Sequence, residues 1–254
     1  MNDIHLIPIG SGSTGNCIYI ELANHSFLVD MGIGYRKVKD ALFLHDRDLS
    51  AIEAIFLTHG HHDHIKAAAA ISNHTCCPIF ADQSSMYSIR QSKADKISLE
   101  LNKETEIKDG LSVTMFSVPH DFVRTVGYVF RSDRKKIAYV TDCGRMNEQI
   151  FEQIKGADVS VIESNHDIEM LKNGPYPKQL QSRILSRYGH LSNDECAETI
   201  EKLYETGCRN FILAHLSRQN NTPEMACQTT MDQMQGKDIR LYICPAEGND
   251  LLSF

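Results

Sequence analysis

An α/β (α+β) fold, with sheets at the centre and helices outside, is predicted by three observations. Short apolar runs alternate with helical patterns along the chain, strands come early in each half, and several helix starts carry recognisable caps. No low-complexity linker or internal repeat interrupts this order, so residues 1–254 read as one domain.

Strands are expected at 4–9, 17–22 and 26–30, the first two joined by the turn Gly10-Ser11-Gly12-Ser13-Thr14-Gly15. A helix follows at 35–45, then the apolar strand Ala54-Ile55-Phe56-Leu57, which runs into Thr58-His59. Asp63 stands at a helix N-cap position ahead of Ile65 and the alanines from Ala67 to Ala70, which places the residues between on a strand-to-helix loop. Further strands are predicted at 78–81, 111–118, 125–131 and 136–141, the last two forming a hairpin about Ser132-Asp133-Arg134. The second half reads as helix 147–155, strand 158–163, helices 178–187 and 193–206, strand 209–214, helix 223–235 and strand 239–243. Ser192-Asn193-Asp194-Glu195 fits a capping box, and Thr222-Pro223 puts proline at a first helical position.

Composition bounds the function. With 42% apolar and 23% charged residues, the 254-residue chain can bury a core, which argues against disorder, collagen-like sequence and coiled coil. There is no long apolar span, and Met1-Asn2-Asp3-Ile4-His5 lacks the features of a signal peptide, so a cytoplasmic protein without membrane partners is expected. The net charge of −7 speaks against a dedicated polyanion binder. Eight dispersed cysteines without a C-x-x-C pair are expected to be reduced thiols.

Histidine is the unusual component. Four of the twelve, His59, His61, His62 and His64, fall within six residues. Chance would produce such a window in about one comparable sequence in fifty. Residues 58–64, Thr-His-Gly-His-His-Asp-His, contain the pattern H-x-H-x-D-H. His59 and His61 at a strand end can converge on one metal, while Asp63 and His64 can face a second. Imidazole with carboxylate suits Zn, Mn or Fe, so two divalent cations are the expected cofactors.

The motif resembles the signature of the metallo-β-lactamase superfamily, and the resemblance covers nearly the whole chain. It implies a four-layer αββα sandwich of two similar halves. It also implies that His120, in Ser-Val-Pro-His-Asp, joins His59 and His61 at the first metal. His215, in Phe-Ile-Leu-Ala-His, would join Asp63 and His64 at the second. Asp142, in Tyr-Val-Thr-Asp-Cys-Gly, matches the bridging aspartate, and Asp30, in Phe-Leu-Val-Asp-Met-Gly, matches an aspartate that orients ligands from behind. Two metals a few ångströms apart support hydrolysis. An aspartate bridge is typical of the dinuclear phosphodiesterases, whereas the β-lactamases proper usually carry cysteine at that place.

A narrower resemblance is to the YycJ (WalJ) branch of small bacterial metallohydrolases. It rests on Gly-Ser-Gly-Ser-Thr-Gly-Asn-Cys at 10–17, Glu-Ser-Asn-His-Asp-Ile-Glu-Met-Leu at 163–171, Gly-Pro-Tyr-Pro at 174–177, Gly-His-Leu-Ser-Asn at 189–193 and Leu-Ala-His-Leu-Ser-Arg at 213–218. This resemblance implies a 5′ to 3′ exonuclease on double-stranded DNA, associated with mismatch repair and its protein partners. His190 would contact the scissile phosphate and protonate the leaving oxygen, and Glu163 would orient its ring. Small-molecule hydrolysis on the same metals, of a cyclic nucleotide or a thioester, is the alternative. The interval between Asp142 and His215 is too short for the large extra domain of the RNase J and Artemis-like nucleases. His62 stands where the branch often has a small polar residue and is expected to point away from the metals.

The turn containing Ser11, Gly12 and Ser13 either cradles a substrate phosphate or simply closes a hairpin, and Asn193 is a further candidate phosphate contact. Asn165 and His166 are candidates to support Glu163. Tyr176, between two prolines, either stacks on a base or stiffens a turn. Local positive charge for DNA is sought among Arg124, Arg145, Lys172 and Lys178, and among Arg183, Arg187 and Arg218.

Overall fold

The computed structural model describes residues 4–89, 91–246, 248 and 250–254. The first half contributes β1 (Ile4–Gly10), β2 (Cys17–Leu22), β3 (His25–Val29), α1 (Tyr35–Phe43) and β4 (Ala54–Phe56). It continues through α2 (His62–Ile65), α3 (Ala68–Thr75), β5 (Ile79–Phe80), α4 (Gln83–Met86) and β6 (Lys96–Ile97). The second half opens with β7 (Glu104–Lys108), β8 (Leu111–Val118), β9 (Thr125–Arg131) and β10 (Lys136–Val140). It then alternates α5 (Glu148–Ile154), β11 (Val159–Glu163), α6 (Ile168–Asn173), α7 (Lys178–Ile184), α8 (Asn193–Glu205), β12 (Asn210–Ala214), α9 (Pro223–Gln233) and β13 (Arg240–Ile243). A last strand, β14 (Leu252–Ser253), returns to the first sheet beside β1.

Among the described residues the strands form two seven-stranded sheets, ordered β14-β1-β2-β3-β4-β5-β6 and β13-β12-β11-β10-β9-β8-β7. The halves repeat one plan. Antiparallel pairing of β1, β2 and β3 gives way to parallel pairing of β3, β4, β5 and β6. In the same way antiparallel β7, β8, β9 and β10 lead into parallel β10, β11, β12 and β13.

Side-chain alternation divides each strand between two cores. Phe27, Phe56, Tyr128 and Phe130 pack between the sheets. Leu28, Ile55 and Leu57 face α1 and α3 through Val38, Leu42 and Ile71. Val129, Ile162 and Leu213 face α5, α8 and α9 through Ile150, Ile200 and Ala226. Three apolar interfaces therefore separate four layers, αββα, and strands buried on both faces read as unbroken apolar runs. Among the described residues no helix is long and apolar enough to cross a membrane.

Sequence and structure differ where the signal is weak. β7 was not expected because Glu104, Glu106 and Lys108 alternate with partly buried residues on an edge strand, so no apolar run marks it. β6 and β14 have two residues each. The helix expected over 178–187 ends at Ile184, and Leu185 to Tyr188 form a turn closed by the Gly189 amide on the Ser186 carbonyl (2.8 Å). His61, not Asp63, occupies the N-cap of α2. Asp63 lies inside the first turn, leaving its carboxylate free for the site.

Candidate metal centre

The expected ligands lie at strand ends on one edge of the sandwich. His59 and Asp30 follow β4 and β3, while His120, Asp142 and His215 follow β8, β10 and β12. Asp30, Asp142 and His215 have φ of 57°, 52° and 58°. This left-handed conformation turns each side chain out of its strand, and it persists in such residues where surrounding structure enforces it. The loop carrying the histidine cluster is stitched to its neighbours: Asp63 carbonyl accepts from Asn16 N–H (2.8 Å) and His64 carbonyl from Met31 N–H (2.6 Å). Gly32 is required here, since a Cβ would lie 1.6 Å from the Asp63 carbonyl oxygen.

In the first half a buried carboxylate sets the ring orientations. Asp30 accepts from His64 Nδ1 (2.8 Å), from the Thr58 amide (2.9 Å) and from the Thr58 hydroxyl (3.0 Å). The Thr58 oxygen in turn accepts from His59 Nδ1 (3.0 Å). With Nδ1 engaged, both rings present Nε2 to the cleft. His61 does the reverse, and its Nδ1 lies 2.9 Å from His59 Nε2. Sequence reasoning did not single out Thr58, whose only signal was its place between the strand and His59. Asn16 is a second addition, its amide 2.9 Å from His64 Nε2.

The second half repeats the device with more partners. Glu163 Oε1 accepts from both His190 Nδ1 and His215 Nδ1 at 2.8 Å, while Oε2 accepts from the Cys143 and Leu191 amides at 2.7 and 3.2 Å. Glu163 therefore orients two rings rather than one. His120 Nδ1 donates to the Gly189 carbonyl (3.0 Å). The left-handed His215 peptide is pinned at both ends, its N–H on Ser11 Oγ (2.6 Å) and its C=O under Asn165 Nδ2 (2.8 Å).

These constraints bring donor atoms together as His59–His61–His120 and as Asp63–His64–His215, each set within 4.8 Å. Asp142 stands between them, with Oδ1 3.5 Å from His120 Nε2 and Oδ2 3.3 Å from His64 Nε2. Five imidazoles and two carboxylates form a borderline-hard donor set suited to Zn, Mn or Fe. Asp142 Oδ2 and His215 Nε2 are buried without a hydrogen-bond partner among the described residues, as expected of atoms reserved for cations. The residues fit a pair of divalent metals.

The carboxylates and imidazoles of the centre shift one another's ionisation. Burial opposes ionisation of Asp142, but His215, His64, His59 and His120 outweigh it and hold the carboxyl well below its usual range. Burial is likewise overcome at Glu163 by His190 and His215, which draw it down to about 2. His64 and His215 resist burial through Asp30 and Asp142 in one case and Asp142 and Glu163 in the other, rising to about 9 and about 10. Burial and the nearby His64 keep His59 well down, and burial lowers His120.

Other expected contacts have different work. Ser11 Oγ accepts from the His215 amide, and the Gly12 amide donates to Asn16 Oδ1 (2.7 Å) inside the hairpin turn, so this backbone donor is spent within the turn. Ser13 is exposed at the tip. Asn193 is buried, with its side chain bonded to Ser164 and Asn221, which removes it as a phosphate contact. His62 is exposed, and all eight cysteines are free thiols. His166 is buried beside this network, but neither ring nitrogen has a partner among the described residues.

Comparison with known proteins places this geometry. Residues 25–216 match the beta-lactamase superfamily domain. The chain is 32% identical over 238 residues to exodeoxyribonuclease WalJ of Streptococcus pneumoniae (serotype 2, strain D39), covering 91% of this chain and 88% of that protein. It is 31% identical to exodeoxyribonuclease YycJ of Bacillus anthracis, covering 92% and 90%. Among solved structures, the metallo-beta-lactamase fold protein YhfI of Bacillus subtilis superposes with a TM-score of 0.74 at 14% identity, over 98% of this chain and 99% of that one. Zn(2+)-bound PqqB of Methylobacterium extorquens superposes at 0.72 with 16% identity, over 99% and 100%. With an αββα sandwich, strand-end histidines and aspartates converging on one edge, and a family match over most of its length, the chain belongs to the metallo-β-lactamase branch of the beta-lactamase superfamily.

Proposed function

We propose that the chain is a two-metal phosphodiesterase acting as a 5′ to 3′ exonuclease on double-stranded DNA. The observation that carries this reading is His190, a partly exposed imidazole beside the ligand set whose Nδ1 is taken by Glu163; its donor atoms also cluster with those of Asp142, Glu163 and His215, but the carboxylate that would share a metal there is spent orienting the two rings. Its support in substrate class is the 31–32% identity to two exodeoxyribonucleases over nine-tenths of the chain.

His59, His61 and His120 would hold one divalent cation, Asp63, His64 and His215 the other, with Asp142 shared. When bound, such a pair supplies a water activated near neutral pH and offsets charge on the phosphate. The protein's own part is orientation and proton delivery. Asp30, Thr58, Gly189 and Glu163 fix the Nδ1 side of four rings, leaving Nε2 for the centre. His190, tethered through Nδ1, holds a proton on Nε2. As the P–O3′ bond breaks, that proton passes to the 3′ oxygen and the new strand end retains a 5′-phosphate. Zn or Mn as the working metal, a cytoplasmic location and a role in mismatch repair with partner proteins belong to the same proposal.

The test is digestion of a labelled duplex with a panel of Zn²⁺, Mn²⁺ and Fe²⁺, beside a cyclic phosphodiester and an acyl-glutathione. Stepwise release of nucleotides from 5′ ends is the expected result. Turnover of the small substrates with inertness towards DNA would sink the nuclease reading. His190→Ala should bind both metals yet lose roughly 10²–10⁴ in kcat. Wild-type rates in that variant would remove His190 as the proton donor.

A further inference from the structure

The turn from Leu185 to Tyr188 lies between the end of α7 and His190, and its outward residues have no role in the centre. Leu185 and Tyr188 are 44% and 46% exposed, and the Arg187 guanidinium lies 4.7 Å over the Tyr188 ring. Among the described residues Arg187 has no carboxylate partner. Two arginines of the neighbouring loops differ, since Arg183 is neutralised by Asp121 and Arg124 pairs with Asp82 at 3.6 Å, whereas exposed Arg218 also has no carboxylate partner among the described residues. Arg145 lines a depression shared with Glu148, Glu195 and Glu198.

The turn is also firmly joined to the site. His190 N–H donates to the Ile184 carbonyl (3.0 Å), and the Gly189 carbonyl accepts from His120. A Cβ on Gly144 would lie 2.4 Å from the Arg187 carbonyl oxygen, so the segment after Asp142 packs directly on this turn. An exposed aromatic ring paired with an unneutralised guanidinium, two and three residues before the proposed proton donor, is a combination that can hold a nucleic-acid strand. The ring stacks on a base and the guanidinium takes a phosphate.

We infer that the Leu185–Tyr188 turn is a nucleotide grip, with Arg187 on a strand phosphate and Tyr188 stacked on a base next to the scissile bond. This inference rests on the nuclease reading. It gives a chain of net charge −7 a local means of retaining a polyanion, through an unneutralised guanidinium and a stacking face.

The experiment measures kcat and KM of the metal-loaded enzyme on a 5′-labelled duplex across a KCl series, with bis(p-nitrophenyl) phosphate as a second substrate for the wild type. Tyr188→Ala should raise KM for DNA about tenfold at unchanged salt slope, and Tyr188→Phe should restore it. Arg187→Ala should flatten the slope of log(kcat/KM) against log[KCl] by about 0.9, with Arg187→Lys retaining it. DNA cleavage by all four variants with wild-type KM and slope overturns the grip while leaving the nuclease reading in place. A metal-loaded wild type that turns over bis(p-nitrophenyl) phosphate but is inert to the duplex overturns the nuclease reading itself.

Discussion

In the first half of the molecule, four candidate ligands come from the six positions His59 to His64, and one buried carboxylate, Asp30, steadies two of their rings through His64 and Thr58. In the second half, His120, Asp142 and His215 come from three separate strand ends, and Glu163 steadies a ligand and the proposed proton donor with the same oxygen. The first arrangement concentrates donors on one loop; the second distributes them and makes one side chain answer for two functions. Loss of the steadying carboxylate should therefore be far more harmful in the second half.

The largest effect is expected for Glu163→Gln, which disturbs His215 and His190 together. Its kcat/KM on duplex DNA should fall roughly 10³–10⁴-fold, combining weakened metal retention with lost proton delivery, and excess metal should recover only the first part. Asp30→Asn should weaken metal binding about 10–100-fold by calorimetry, with kcat restored at saturating metal. Equal, metal-insensitive losses in the two variants would break the comparison.

A smaller effect concerns His166, which lies beside the second carboxylate. Burial lowers its pKa to about 4, so between pH 6.5 and 4 the unfolded chain binds a proton that the folded chain refuses. Stability is thus retained above pH 6.5 and lost as pH falls towards 4, by up to about 3 kcal/mol. Urea unfolding of chelator-treated protein at pH 4.5 and 7 should show that His166→Phe loses less stability on acidification than the wild type. An equal pH response would assign the loss to other groups. Ser11→Ala removes the acceptor for the His215 amide and should cost about 1 kcal/mol by the same method, with Ser11→Thr tolerated better.

The same contrast explains what was legible in the sequence. His59, His61, Asp63 and His64 were evident because a strand end and a helix start place near neighbours in sequence around one point. Asp142, His120 and His215 carry no local signal, and only the order of family motifs pointed to them. Most strands were readable from apolar runs, because burial on both faces leaves little polar residue in them, whereas edge strand β7 was hidden by its charges. Asn193 and Ser11 are ambiguous in sequence for another reason. A polar side chain near a motif can serve a substrate or the fold, and only three-dimensional bonding shows Ser11 on the His215 amide and Asn193 on the side chains of Ser164 and Asn221.

The left-handed strand ends have a consequence for adaptation. Asp30, Asp142 and His215 hold backbone angles that glycine would accept without strain, at a cost of about 1–3 kcal/mol each for less permissive residues. Glycine at 142 or 215 would relax the chain and remove a donor in the same step. Backbone strain therefore favours glycine at these two positions, while the buried ion pairs of Asp142 with His64 and His215, together with the donor chemistry, favour keeping the side chains.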